Sequence, residues 1–475
     1  LLHGSCKQKN GLAQNESVLI SELVALENIP EIQDEKEQSG SYLGIPEESR
    51  LADPSHPVLV LDILKARSDV RELKTADLFS HLRYIPIKFN EPIDTFENRF
   101  GEFDFLITPN NIIASHFSYG ITQFGLDGNF KNQIVKNDFY YTAVPGRNSV
   151  MVTFEDQNQF VGSQGQVHAI GDMIYYQYHN NPDGHGAMMQ YNAAPGELTP
   201  TTVNLDDKTP NTPKGRELYD LATTHHKQGA SSSISANSIF PINEDEWASS
   251  YSKMRSSQSE SFMISTNLQG DTLTKFKDYD PIRDFTGSVY RGLDGSGSQY
   301  QFQGISHVRQ GYNDTIYMVA SSNKLIPKYV LDFGAKGIQS STEGMDPGFD
   351  LKEKFVIDQL VETNRYLFIT YTKDYPCPNT AKSGTLRYSA CIYDKDRAEL
   401  FHIYLDRPPH IGEGLSWPEP PKEYIQNNLD SGPVFWPKST TYDGKPFTWF
   451  KKQDIPPQMN LQHSEDIDYL LMIVY

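Results

Sequence analysis

One arrangement recurs along this chain: an apolar or mixed stretch, a tight turn carrying Asn or Asp, then a stretch in which aromatic and aliphatic residues alternate. The clearest copies are ITPNNIIASHF around Asn111, VHAIGDMIYYQY around Asp172, QGYNDTIYMVA around Asp314 and VETNRYLFITY around Asn364. PINEDEWASSY around Asp245 and TTYDGKPFTWF around Asp443 are weaker copies, which makes six, about 66 residues apart on average. Asn, Asp and Gly accept the positive φ that a two-residue turn demands, and the alternation behind the turn lets one face bury, so each copy predicts a hairpin. Several copies run on into a second hairpin, as in GITQFGLDGNFKNQIV from Gly120, FMISTNLQGDTLTKF from Phe262 and SACIYDKDRAELFHIYL from Ser389. The unit is then four short antiparallel strands. A sheet that small with two apolar faces cannot stand alone and must pack face to face with its neighbours around an axis. The expected fold is all-β, a six-bladed β-propeller of four-stranded antiparallel blades; two separate β-sandwiches would supply short strands but not the repeat. Closing such a ring usually takes a strand from one terminus to complete a blade begun at the other. PVLVLDIL from Pro57, LRYIPIKF from Leu82 and DYLLMIVY at the end of the chain are the candidates.

Composition agrees with strands and turns: 33 Gly, 29 Pro and 12% aromatic residues stand beside only 22% charged ones. The 42 Lys and Arg against 61 Asp and Glu leave a net charge of -19, which would repel a phosphate backbone and excludes nucleic acid as a partner. No apolar run approaches the roughly 20 residues of a membrane-spanning helix. The propeller is expected over residues 57–475, interrupted at about 195–233 by a polar, Pro- and Thr-rich insertion with one helix near 215–226. Residues 1–56 are polar and acidic apart from a patch from Val18 to Ile29, and form a tether. The opening LLHGSC matches the end of a bacterial lipoprotein signal, with Gly4 and Ser5 as the small residues and Cys6 as the lipidated residue, though His3 stands where Leu is usual. On this reading the membrane is a partner through the lipid anchor only, and the chain sits in the cell envelope at the outer membrane. Cys377 and Cys391 flank a loop between two strand-like runs and are candidates for a disulfide or for two thiols.

The strings IPIKF at Ile85, FGLDGNFKNQIV, KLIPKYVLDFG from Lys324, ETNRYLFITY from Glu362 and NNLDSGPVFWP from Asn427 to Pro437, in that order, resemble the six-bladed β-propeller lipoproteins of anaerobic gut bacteria. The resemblance spans most of residues 60–475. It implies an exported propeller on a lipobox Cys, in a family whose members mostly lack an assigned activity. Where that family carries a GxGPGEY-like stretch after its first blade, this chain has TAVPGRNS near Pro145.

Chemistry is thinly signalled. His116, His168 and His307 each lie close to a turn and are the candidates for a metal at the axis, without any short ligand spacing. The loop HNNPDGHG offers His179, Asp183 and His185 as a second weak cation set. The acidic runs DYDPIRD from Asp278 and INEDEW from Ile242 suit calcium by ligand type but not by EF-hand spacing, so no cofactor is expected and calcium is the one cation in reserve. No nucleophile elbow, zincin helix, Walker loop or dinucleotide fingerprint occurs, and no catalytic residue is assigned. Trp417, Trp436 and Trp449 fall in the last repeat. Trp417, beside Gly414 and a run of prolines, is the first candidate for stacking on a ligand, with Trp436 the second, although Trp436 and Trp449 are expected to bury. Two functions follow: a non-catalytic propeller that binds a glycan, peptide or envelope protein at its axial mouth, accessory to outer-membrane nutrient uptake, or a hydrolase or lyase acting on a carbohydrate or similar polymer there.

Overall fold

The computed structural model describes residues 50 and 53–475, except 91–92, 94–102, 117–118, 137–138, 144–149, 155–158, 162–166, 181–184, 194–200, 203–235, 252–260, 268–271, 278–298, 310–312, 338–352, 374–385, 409–423, 431, 458 and 460–466. Cys6, Asp183, Cys377, Trp417 and the 195–233 insertion, apart from the short strand Thr201–Thr202, fall outside the described residues. Strands dominate the rest. The fold is an all-β propeller of small antiparallel sheets, most of them four-stranded.

Among the described residues the strands form six sheets of four or five strands and one separate hairpin, Phe139–Ala143 with Val150–Phe154. In chain order the innermost strands of the six are Asp104–Ile107, Val167–Ile170, Ala236–Pro241, Gln299–Phe302, Phe355–Glu362 and Ser439–Thr440. Each sheet packs on the next through its own apolar layer. Ile113 and Ile121 of the first sheet meet Ile174 and Tyr176 of the second, and Tyr175 sits edge-on to Trp247 between the second and third. Phe240, Phe262 and Phe276 meet Val308 and Val319 between the third and fourth. Leu331 and Phe333 meet Ile357 and Leu367 between the fourth and fifth, and Phe368 and Tyr404 meet Trp436 and Met472 between the fifth and sixth. The sixth returns to the first through Ile85, Tyr469 and Leu471 against Phe103, Phe105 and Phe124. Each fully buried aromatic or aliphatic side chain in these layers contributes about 1.5–3 kcal/mol.

The sixth sheet is closed as expected, by Leu82–Ile87 pairing antiparallel with Tyr469–Val474, Leu82 opposite Val474 and Ile87 opposite Tyr469. The run from Pro57 does something else. Leu59–Asp62 adds a fifth strand, parallel to Lys324–Asp332, on the outer edge of the fourth sheet. One of the expected hairpins is present but falls at a different place in its sheet. The turns at Asn111, Asp172, Asp245, Asn364 and Asp443 join the first two strands of their sheets, but Asp314 precedes the third strand of the fourth sheet. There the first turn is Gln303-Gly304, both at positive φ, +52° and +77°, and Gln is not a residue that advertises such a turn.

Candidate functional site

The innermost strands of every sheet but the third, with residues beside them, line an axial cavity of about 300 Å³. Its walls carry amides at Gln299, Gln301, Gln303 and Gln359, hydroxyls at Ser115, Ser439, Thr440 and Thr441, and rings at Phe105, Tyr300, Tyr442 and Trp449. Alternation explains how a strand supplies them: QYQF sends Gln299 and Gln301 to one side and Tyr300 and Phe302 to the other. Three of the amides are partly committed. Gln301 Oε1 accepts from the Ala169 amide at 3.1 Å, so the fourth sheet reaches the second directly across the cavity wall. Gln303 Nε2 donates to Asn364 Oδ1 at 2.8 Å, and Gln359 Nε2 to the Lys438 carbonyl at 3.3 Å. Lys438 Nζ lies 4.8 Å over the Trp449 ring.

Glu362 ends the innermost strand of the fifth sheet and lines the cavity with only 1% of its side chain exposed. It accepts from Tyr329 Oη at 2.7 Å, Lys395 Nζ at 2.7 Å, Tyr300 Oη at 2.8 Å and Lys328 Nζ at 3.0 Å. Burial opposes its ionisation, but the surrounding charges, His307 at the low pH where that ring is protonated and Lys328 and Lys395 throughout, outweigh burial and bring it down to about 2. His307 stacks flat on Tyr300 with centroids 4.7 Å apart. Its Nδ1 donates to the Ile305 carbonyl at 3.1 Å and its Nε2 accepts from Lys328 at 3.0 Å. Burial, then the Lys328 charge, push His307 down to about 3, so near neutral pH it is uncharged and the two ammonium groups alone balance Glu362. Burial likewise lowers Lys395. A carboxylate held at about 2 is a poor general acid, because glycoside cleavage needs one carboxyl kept protonated near the working pH. Asp104 and Lys438 also line the cavity, so beside hydrogen-bonding groups and ring faces it carries a second carboxylate and an ammonium group.

The histidines named from sequence do not gather. His168 lies on an innermost strand and lines the cavity. His116 is buried under Phe103, stacked at 4.7 Å, and His307 belongs to the Glu362 cluster. Among the described residues no three His, Cys, Asp or Glu side chains converge as a metal set. His179 and His185 fall on the paired strands Met173–Asn180 and His185–Asn192, with Asn180 opposite His185. Trp436 is buried between the fifth and sixth sheets, stacked on Tyr424 at 4.9 Å and edge-on to Phe368, while Trp449 of the same repeat lines the cavity. Cys391 is a free, fully buried thiol. Reading the sequence for motifs missed Glu362, Lys328, Lys395, Tyr300 and the glutamines. The one signal available was the QYQFQG stretch, an amide on every second residue of a strand.

No curated protein matches the chain in sequence. Among solved structures it is similar to a predicted exported protein of Bacteroides fragilis at 12% identity and a TM-score of 0.43, over 88% of this chain and 99% of that one. It is also similar to a member of the DUF4221 family from Bacteroides vulgatus at 10% identity and a TM-score of 0.38, over 84% and 96%. A family model for a domain of unknown function, DUF4933, matches residues 46–459, and the chain belongs to the DUF4933 family.

Proposed function

We propose that this chain is an exported six-bladed propeller, held at the outer membrane by lipid on Cys6, that works by binding a glycan, peptide or protein partner in its axial cavity rather than by chemistry. The six sheets, each packed on the next and the last on the first, are read as its six blades. The observation that carries the binding reading is the cavity wall: amides, hydroxyls and rings surround the space, and its buried carboxylate is already balanced by two ammonium groups. Ligand pockets in general are concave sites with a few polar groups among apolar ones, as this one is. The LLHGSC stretch supports the anchor.

Two measurements test the proposal. Full-length protein with Cys6→Ala should leave the membrane fraction and appear in the soluble one; retention in the membrane overturns the anchor. Incubation with fluorescent oligosaccharides and peptides should return every bound probe unaltered on chromatography. Turnover that is lost in Asp104→Asn, a cavity-lining carboxylate, at unchanged melting temperature would replace the binding reading with the hydrolase one.

A further inference from the structure

We propose that Asp358 puts the seam between the fifth and sixth sheets under the control of a proton: with its carboxyl protonated the seam stays closed, and with it ionised the seam opens to water beside the axial cavity. The placement comes from a bulge in the innermost strand of the fifth sheet. Ile357 pairs with Tyr371 and Gln359 with Thr370, so Asp358 is the extra residue between two paired ones. Ile357 and Leu360 belong to the layer against the fourth sheet. Gln359 reaches the other way, its Nε2 donating to the Lys438 carbonyl at 3.3 Å. Tyr404 and Tyr424 pack in the apolar layer between the fifth and sixth sheets. Burial raises both phenols, and the charge of Asp358 adds to it, which places the carboxyl on that side of its sheet.

Nothing in this seam balances a carboxylate. Among the described residues no hydrogen bond or ion pair engages Asp358, and burial alone lifts it to about 6. Thr370 Oγ1, on the neighbouring strand, is buried and makes no hydrogen bond. The titratable groups facing it, Tyr404 and Tyr424, are uncharged near neutral pH. Arg407 lies over the Tyr404 ring at 4.7 Å and Lys438 over the Trp449 ring at 4.8 Å, and neither charge shifts Asp358. Glu362, four residues along the same strand, shows the contrast: two ammonium groups and two phenols hold it ionised.

A carboxyl in such surroundings is tolerated as the neutral acid and penalised as the anion, and opening the seam relieves the penalty by admitting water. The closed form therefore binds the proton more tightly than the open one, about 6 against the ordinary 3.8. Opening is favoured increasingly as pH rises above 3.8 and levels off above 6. Gln359 and Lys438 both line the axial cavity, so loosening of the tie between them reaches its wall. The inference holds whatever the cavity binds.

Hydrogen exchange of the full chain, read by mass spectrometry as protection factors so that the intrinsic pH dependence is divided out, tests this. Asp358→Asn keeps the shape and cannot ionise. For peptides spanning residues 355–362 and 436–440, the ratio of opening in wild type to that in Asp358→Asn should rise about tenfold from pH 5 to pH 7. Taking the ratio cancels the titration of other groups. Asp358→Leu, which suits the apolar seam, repeats the comparison without a buried amide. A ratio that does not change with pH, or one that changes equally across all six sheets, overturns the proposal. So does an NMR titration of the labelled Asp358 carboxyl with a midpoint near pH 4 in the folded protein.

Discussion

Replacing Glu362 by Gln keeps the shape of the side chain and removes the charge on which the fourth and fifth sheets converge. The wild-type carboxylate is 1% exposed and holds Lys328 and Lys395, themselves 26% and 22% exposed, with contacts of 2.8 and 2.7 Å. Without it, two partly buried ammonium groups face one another with no counter-charge. Breaking a buried pair in this way typically costs about 3–5 kcal/mol. Proton linkage has the same sign: the fold holds this carboxyl below its ordinary 4.5, so the cluster stabilises the fold wherever the carboxyl is ionised. That contribution is fully present above pH 4.5 and is lost as pH falls towards 2, where the protonated wild type resembles the amide. Urea unfolding at pH 7 should therefore place Glu362→Gln about 3–5 kcal/mol below wild type, and the gap should narrow as pH falls below 4.5. Adding Lys328→Met and Lys395→Met to Glu362→Gln should recover part of the loss, since removing all the charges spares their desolvation. A variant within about 1 kcal/mol of wild type at pH 7, or a gap that does not depend on pH, would refute the claim that the two ammonium groups are held by this one carboxylate.

Gly128 sits at φ +85°, and a Cβ there would lie 2.0 Å from the Pro86 carbonyl oxygen of the closing strand, so Gly128→Ala should cost about 2–4 kcal/mol in urea unfolding. Gly171→Ala, at φ +59° with open space around it, should cost only about 1 kcal/mol. His402, fully buried with Nδ1 on the Ala66 carbonyl and Nε2 on Tyr371 Oη, is pushed by burial down to about 4. Its contribution is complete above pH 6.5 and lost as pH falls to 4, about 3 kcal/mol in all; an NMR titration showing its imidazole protonating near pH 6.5 in the folded protein would contradict this. The Cys391 thiol, raised by burial, should resist alkylation in the folded protein and react only on unfolding, as read by mass spectrometry of its peptide.

Much of the ring was legible because its signals are local. Asn364 and Asp443 announce their turns within four residues of sequence, and the closing pair LRYIPIKF and DYLLMIVY is apolar enough to be recognised from either end. The fourth sheet misled where local chemistry was weak. Its first turn rests on Gln303 at positive φ, so Asp314, a better turn residue in a different loop, drew attention instead. The candidate site was not legible for a different reason. Tyr300, Lys328, Glu362 and Lys395 come from four separate strands or turns spread over 96 residues, and only the packing of the fourth sheet on the fifth brings them within hydrogen-bond reach. Histidines attract notice in a sequence as ligands, yet His307 here spends both ring nitrogens on a carbonyl and a lysine.

The N-terminal strap explains why closure needs more than one strand. Leu59–Asp62 extends the outer edge of the fourth sheet. The chain then passes to the fifth, where Val70 bridges His402, Arg71 N donates to the His402 carbonyl and Arg67 pairs with Asp406 at 2.7 Å. Thr75 N donates to the Gln426 carbonyl, and Leu82–Ile87 enters the sixth sheet beside the last strand of the chain. Three consecutive sheets are thus tied along their outer edges by one run of about thirty residues. Loop-closure entropy makes this useful. Pairing residue 82 with residue 474 closes a loop of nearly the whole domain, and each added attachment along the way shortens the loop that the next must close. The His402 imidazole sits at the middle attachment, with Ala66 on one nitrogen and Tyr371 on the other. Its protonation would therefore be felt first at the fifth sheet, where Arg67 opposes the added charge and Asp406 and Asp69 favour it.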